Sequence, residues 1–469
     1  MLPWSLYKVT GVHRSARQFW MFHATILFLA WGTIASAQQT AVPSATIKVE
    51  VRQVLVPVVV TDKKGHHVTG LRARDFQVLE DGVAQRVVAF STEAEGAAQL
   101  FQPEPTSAGP PSALPSPKPP VEANPAPRRT YLLCVDTLNS AFTNFSSVRS
   151  ALQSLFKQER SSDSQYAIVA LGRQPLIVQN LTRDPAAVLA AINSKGLTRA
   201  IQQSESTNLA QQERELTTML ADYCQRCSCA GTALPSSRTS GGTDQVCMGK
   251  WARIEMWAGA AAQERTALLR SFLRDLRALV EQVARQPGKR TLVFVSDGFN
   301  LRPGRDLFGI MAAYSRDQGT LLKNPGDYMG PEMHEIVRLA TARDVTFYTL
   351  DSRGLYTPMG AGFDASDEPQ ITRMVVLLPE IQQQKETMAL ENQDALAELA
   401  AATGGVFVRN TNDLAQGMRQ ALADGREYYL LAYVPSNTAA DGKFREIKVE
   451  VREKNLLVRA KRGYWAPTK

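Results

Sequence analysis

Arg128 to Ser140 reads RRTYLLCVDTLNS. Two arginines lead into an apolar run, Tyr131 to Val135, which stops on Asp136 and passes into small polar residues. A run this short, bounded by charge and turn formers, has the length of a strand buried on both faces, as in a parallel sheet. Asp136 then stands at the strand's carboxyl end, the edge at which open α/β sheets bind ligands.

Downstream, apolar strands alternate with helical patterns, which is the pattern of a sheet covered by helices on both faces. Val148, Ala151, Leu152, Leu155 and Phe156 step by three and four and predict a helix with one apolar face. Tyr166 to Leu171 reads as a second buried strand, and Pro175 to Gln179 as an edge strand, where proline's missing N–H is tolerated. Asp184-Pro185 opens a short helix through Ile192, with the aspartate at the cap.

A longer helical stripe follows, Leu269, Phe272, Leu273, Leu276, Leu279, Val280 and Val283, until Pro287-Gly288 stops it. Thr291 to Val295 is another strand, ending in Ser296-Asp297-Gly298, and Val345 to Leu350 ends on Asp351. Helices are expected over Glu335 to Ala342, Asp394 to Ala401 and Asp413 to Ala423, with a short strand at Val406 to Arg409. Residues 128–426 therefore predict a doubly wound, mostly parallel α/β domain. Within it residues 197–250 break the rhythm, and they read as a cysteine-containing insertion on the ligand-side rim.

The two ends of the chain are of another kind. Residues 46–60, TIKVEVRQVLVPVVV, then Asp75 to Leu79, the turn Glu80-Asp81-Gly82, and Gln85 to Phe90 read as strands with a hairpin, an N-terminal β unit over 46–91. Residues 92–127 hold ten of the chain's 25 prolines and read as a semi-rigid linker. Glu427 to Val434, Phe444 to Arg452 and Leu456 to Lys461 form a C-terminal β unit over 427–465. Neither end has enough strands to stand alone. One flanking β-sandwich-like domain built from both ends, with the α/β domain inserted into it, is the expectation.

Lys8, Arg14 and Arg17 precede an apolar stretch, Phe19 to Ile34, that ends in Ala35-Ser36-Ala37. This is the order of a secretory signal peptide over residues 1–37, so export to the periplasm or the cell exterior is expected. The alternative is an uncleaved anchor, which would be the chain's one contact with a membrane. Without residues 1–37 the charge falls from +8 to +5, which is mild for this length. No Lys/Arg stripe interleaved with aromatics is present, which argues against nucleic acid as a partner.

Of five cysteines, Cys134 lies within the central strand, while Cys224, Cys227, Cys229 and Cys247 share one segment. Export favours disulfides among these four, with three pairings open; a zinc knuckle is the alternative, although a second CxxC is missing.

Taken in order, VVVTDKKGHHVTGLRARDFQVLEDGVAQRVVAF (58–90), YLLCVDTLN (131–139), VFVSDG (293–298), VTFYTLDSRGL (345–355), LAELAAATGG (396–405), YYLLAYVPSNTAADGKFREIKVEV (428–451) and RGYW (462–465) resemble acidobacterial-type proteins related to the von Willebrand factor A domain. The resemblance spans nearly everything after residue 37. It implies an adhesion-type domain that holds a protein or cell-surface ligand through a divalent cation, Mg²⁺ or Mn²⁺. The implied site is an Asp-x-Ser-x-Ser loop, a threonine from a second loop and a later aspartate. Hard oxygen ligands with one or two carboxylates suit such an ion.

Matched residue by residue, Asp136 takes the first aspartate, Ser140 the second serine and Asp297 the later aspartate. Thr243 takes the threonine, with Thr182 as the fallback. Leu138 stands where the first serine belongs, so the site is degenerate, and a water or an oxygen from Asn139 or Asn144 would have to fill that position. The expected function is an exported, non-enzymatic binding module working at the sheet's carboxyl edge. The alternative is a metal-independent envelope scaffold. Catalysis has little to build on, with no G-x-S-x-G, no H-E-x-x-H and no phosphate-binding glycine loop. His66, His67 and His334 read as solvated or structural.

Overall fold

The structure is a computed structural model that describes residues 53–92, 128–202, 206–227, 229, 242–315, 320, 323, 324, 326–355 and 378–468. The expected signal peptide and the proline-rich linker lie outside the described residues.

The apolar run at Tyr131 to Val135 lies in strand β5, Arg129–Asp136, and every residue of the strand is buried. Its neighbours are β6 (Ser164–Leu171), β7 (Pro175–Thr182), β8 (Lys289–Ser296), β9 (Val345–Asp351) and β10 (Phe407–Val408). These form a sheet in the order β10-β9-β8-β5-β6-β7. All pairings are parallel except that of β7 with β6. The chain leaves β5 towards β6 and leaves β8 towards β9, so the winding direction reverses between β5 and β8. A crevice forms outside the carboxyl ends of strands at such a switch point. Asp136 and Asp297 flank it.

Alternate residues of the central strands feed two cores, as the two-residue period of a strand requires. Leu132, Cys134, Leu292, Phe294 and Phe347 face helices α5 (Gly242–Ala284), α7 (Gly330–Ala342) and α8 (Leu378–Thr403). Tyr131, Leu133, Val135, Val293, Val295 and Tyr348 face α1 (Phe145–Gln158), α2 (Pro185–Ile192), α3 (Lys195–Gln202) and α9 (Leu414–Asp424). The stripe read from the sequence on α5 is core: Phe272, Leu276 and Val280 are fully buried. Each such side chain contributes about 1.5–3 kcal/mol of burial free energy. Helix starts follow their caps. Asp184 accepts from the Ala186 N–H at 2.8 Å, and Asp413 from the Gln416 N–H at 2.9 Å.

Residues 197–250, expected as a cysteine-containing insertion on the rim, are helical over most of their described length. Leu197 and Ile201 on α3 are buried in the core beside the sheet. Beyond it α4 (Ser206–Arg226) leads to α5, which begins at Gly242 and runs unbroken into the core stripe. The helices α4, α6 (Arg305–Tyr314) and the first half of α5 share their own core of Leu216, Leu220, Ile254, Ala258, Leu307 and Met311. Disulfides Cys224–Cys229 and Cys227–Cys247 close its end, and Cys134 is free and buried.

Strands from both chain ends interleave in two antiparallel sheets. One runs β13 (Leu457–Ala460), β1 (Val54–Thr61), β11 (Tyr429–Tyr433), β4 (Val87–Thr92). The other runs β14 (Gly463–Trp465), β12 (Phe444–Val451), β2 (Phe76–Glu80), β3 (Val83–Gln85). Val54, Val56, Val58 and Val60, one face of β1, pack with Phe76, Val78, Leu431, Tyr433 and Ile447. Asp81 and Gly82 carry positive φ, 49° and 80°, the backbone a two-residue hairpin of this twist requires. The single strand expected over Gln85 to Phe90 is broken at Arg86, because β3 pairs with β2 while β4 crosses to pair with β11. Among the described residues, no helix is long and apolar enough to cross a membrane.

Candidate functional site

Three adjacent parallel strands end in polar residues that lie side by side. Asp136 follows Val135, which is in register with Val295; Ser296 is in register with Asp351. All three of Asp136, Ser296 and Asp351 are at most 1% exposed.

Asp136 is surrounded by donors. Its Oδ1 accepts the backbone N–H groups of Leu138 and Asn139, both at 2.9 Å. Its Oδ2 accepts the Asn139 amide at 3.0 Å and the Ser296 hydroxyl at 2.6 Å. Burial nevertheless dominates: desolvation pushes its pKa from the ordinary 3.8 up to about 6, against those four hydrogen bonds. Asp297 repeats the arrangement. Its Oδ2 accepts the Ala141 N–H and the Asn144 amide, each at 2.8 Å, and its Oδ1 accepts the Ser352 hydroxyl. Burial raises its pKa too, while the nearby Arg353 guanidinium opposes that rise. Asp351 holds Arg353 by a two-pronged contact at 2.9 and 2.7 Å and accepts the Gln393 amide at 2.7 Å.

The matched residues thus separate into two groups. Asp136, Ser140 and Asp297 do come together, and the Ser140 hydroxyl accepts the Asp297 N–H at 3.0 Å. Leu138, 2% exposed, belongs to the core with Leu269 and Phe299. Asn139 and Asn144 turn N–H groups, not oxygens, towards the carboxylates. Thr182 cannot take part. Strand β7 is antiparallel, so Thr182 is in register with Tyr166 near the amino end of β6, whereas Asp136 is in register with Leu171 at the other end. Five residues of strand separate those levels by roughly 16 Å. Thr243 falls in the first turn of α5, and its side chain lies outside the described residues.

In this arrangement the donor set does not fit a divalent cation. Asp136 accepts four hydrogen bonds and Asp297 three from N–H and O–H donors, and a buried leucine occupies a ligand position. Octahedral Mg²⁺ would have to displace several of those bonds at once. Among the described residues, no group of three or more His, Cys, Asp or Glu stands ready for a metal ion. The cation at this edge is instead Arg353, paired with Asp351 and close enough to Asp297 to oppose the rise in its pKa.

Beside this edge lies an open cleft of about 410 Å³, lined by Leu138, Leu209, Arg265, Phe299, Arg353 and Met388 among others. Arg265 secures its wall, donating to the Gln212 side chain at 2.8 Å, to the Leu209 carbonyl at 3.0 Å and to Asp306. On the same edge, Phe142 at the start of the 3-10 turn after β5 is 50% exposed and Leu355 in the loop after β9 is 63% exposed. Neither was singled out from sequence, since an isolated apolar residue in a loop carries no periodic signal. Ser296 offers no nucleophile to a substrate, because it is fully buried and its hydroxyl is used by Asp136 and the Gly298 N–H.

The loop after β8 is fixed by a glycine. Gly298 has φ +87°, and a Cβ there would sit 2.3 Å from the Asn392 carbonyl oxygen, the same oxygen that accepts the Phe299 N–H. Gly298→Ala is expected to cost about 2–3 kcal/mol from strain and displacement of α8. Urea unfolding checks this, and a change within ~0.5 kcal/mol, the range of a neutral surface substitution, would refute it.

No protein-family model matches the chain, and no curated protein matches it. Among solved structures it is similar to the conserved hypothetical protein BatB from Bacteroides thetaiotaomicron, at 9% identity and TM-score 0.26, over 63% of this chain and 98% of that one. It is also similar to an aerotolerance-related membrane protein from Bacteroides fragilis, at 11% identity and TM-score 0.24, over 63% and 98%. A third is proximal thread matrix protein 1 from the mussel byssus, at 10% identity and TM-score 0.26, over 66% and 49%. At these scores the likeness carries no argument about the fold or the site.

Proposed function

We propose that this chain is an exported, non-enzymatic von Willebrand factor A-like module that docks a protein partner at the carboxyl edge of its sheet without a divalent cation. The reading rests on one observation. The acceptor positions of Asp136, the first carboxylate a metal there would need, are taken by the protein's own donors, while Phe142 and Leu355 are left exposed beside it. Apolar side chains on loops of a rigid scaffold are the natural anchors of a protein interface. The two disulfides support export, since such pairs persist in oxidising compartments. The winding order, with its switch between β5 and β8, supports the von Willebrand A-like assignment.

The test is capture of envelope proteins on the immobilised chain, with and without EDTA. Wild-type protein is expected to retain the same partners in both. The double variant Phe142→Glu with Leu355→Glu is expected to lose them at least tenfold while unfolding at the same urea concentration. Capture that disappears in EDTA restores the metal-dependent reading, and capture indifferent to the double variant places the interface elsewhere.

A further inference from the structure

At the opposite, amino-terminal edge of the sheet, the sandwich and the α/β domain enclose a small polar cavity that the docking function does not use. Its volume is about 20 Å³, and three cations and one carboxylate are among the groups that line it: Lys289 at the start of β8, Arg459 on β13, Lys461 just beyond β13, and Asp344. That volume is enough for one atom-sized guest, since one water-sized sphere needs roughly 10–15 Å³.

The local charges do not balance. Lys461 Nζ pairs with Asp344 at 2.7 Å, and Arg459 Nη1 pairs with Asp424 at 2.6 Å. Asp424 also accepts His67 Nε2 and the Tyr348 hydroxyl, each at 2.6 Å, so three partners already share its single charge. Lys289 Nζ reaches only a neutral acceptor, the Thr346 hydroxyl at 2.8 Å, and the face of Tyr428 at 5.5 Å. Arg459 Nη2 is buried with no hydrogen-bond partner among the described residues. A buried ammonium without a counter-charge is costly, as is a buried N–H without an acceptor. Burial accordingly pushes the Lys289 ammonium down to about 8, although Asp344 pulls the other way.

We infer that this cavity is a binding site for one monatomic monovalent anion of the chloride class, held between Lys289, Arg459 and Lys461 at the junction of the two domains. Such an ion supplies the missing negative charge to Lys289 and an acceptor to Arg459 Nη2. A polyatomic oxyanion is too large for the space. Because its ligands come from β8 on one side and from β13 and its extension on the other, the ion ties the sandwich to the α/β domain. A water molecule would fill the volume but leave the charge unbalanced.

Crystals grown in sodium bromide, measured at the bromine edge, test this on the intact chain. An anomalous peak is expected in the cavity lined by Lys289, Arg459 and Lys461. In solution, exchanging sodium gluconate for sodium chloride at constant ionic strength is expected to raise the melting midpoint by a few degrees, on the order of 2–4 °C. Lys289→Met is expected to abolish that rise. A cavity that refines as water with no anomalous signal overturns the proposal, and so does a chloride effect that Lys289→Met leaves intact. The bromide measurement on wild-type protein decides the question even if the variant fails to fold.

Discussion

Asp136→Ala is expected to destabilise the fold by about 3 kcal/mol or more, because it strands two backbone N–H groups, an amide and a hydroxyl beneath a closed edge. The milder Asp136→Asn keeps the shape and removes the titration, and it isolates a pH effect whose sign follows from linkage. The folded pKa is raised from 3.8 to about 6. A carboxyl raised in this way contributes stability that is fully present below about pH 3.8 and is lost as pH rises through 6. That rise in pKa corresponds to roughly 3 kcal/mol in all. The wild type should therefore lose roughly 2–2.5 kcal/mol relative to Asp136→Asn between pH 4 and pH 7, the rest of the effect lying below pH 4. Asp297 is shifted in the same direction and remains in both proteins, so it cancels from the difference. Urea unfolding at pH 4, 5.5 and 7 measures this directly. Parallel curves for the two proteins would mean that Asp136 ionises in the fold as it does in water.

The central sheet was legible because its strands are short apolar runs with a charge or a turn former at each end. Tyr131 to Asp136, Tyr166 to Leu171 and Thr291 to Ser296 all fit that pattern, and both faces of each are buried. The first half of α5 was not. Its buried positions, Ile254, Ala258, Ala261 and Ala262, are mostly alanine and pack on α4 and α6 instead of the sheet, so the apolar stripe is faint there. The site divides in the same way. Asp136 and Asp297 could be located from motif, and Leu138 marked the departure. What satisfies the carboxylates could not be read, since Ser296 reaches Asp136 across 160 residues and Ser352 reaches Asp297 across 55. Hydrogen-bond saturation is a property of the assembled edge, and it makes that edge a closed polar network.

Asp424→Ala is expected to cost about 3–5 kcal/mol and to split one unfolding transition into two. Asp424, the last residue of α9, is 1% exposed and belongs to the α/β domain. Two of its three partners, His67 and Arg459, come from the sandwich, and the third, Tyr348, from β9. Removing the carboxylate leaves the Arg459 charge partly buried without its counter-ion, and breaking a buried pair from one side costs that amount. The loss falls on the contact between domains and spares both cores. The sandwich should then unfold first, because four-stranded sheets joined from distant chain ends carry a large loop-closure cost once the junction no longer holds them. Far-UV circular dichroism follows the helices of the α/β domain, and protease cleavage near Thr92 or Glu427 follows the sandwich. The two should diverge in the variant and coincide in the wild type. Asp424→Leu combined with Arg459→Met removes both charges together and should recover more than half of the loss. If Asp424→Ala unfolds in a single step within ~1 kcal/mol of wild type, the junction is held by apolar contact and the polar network contributes little.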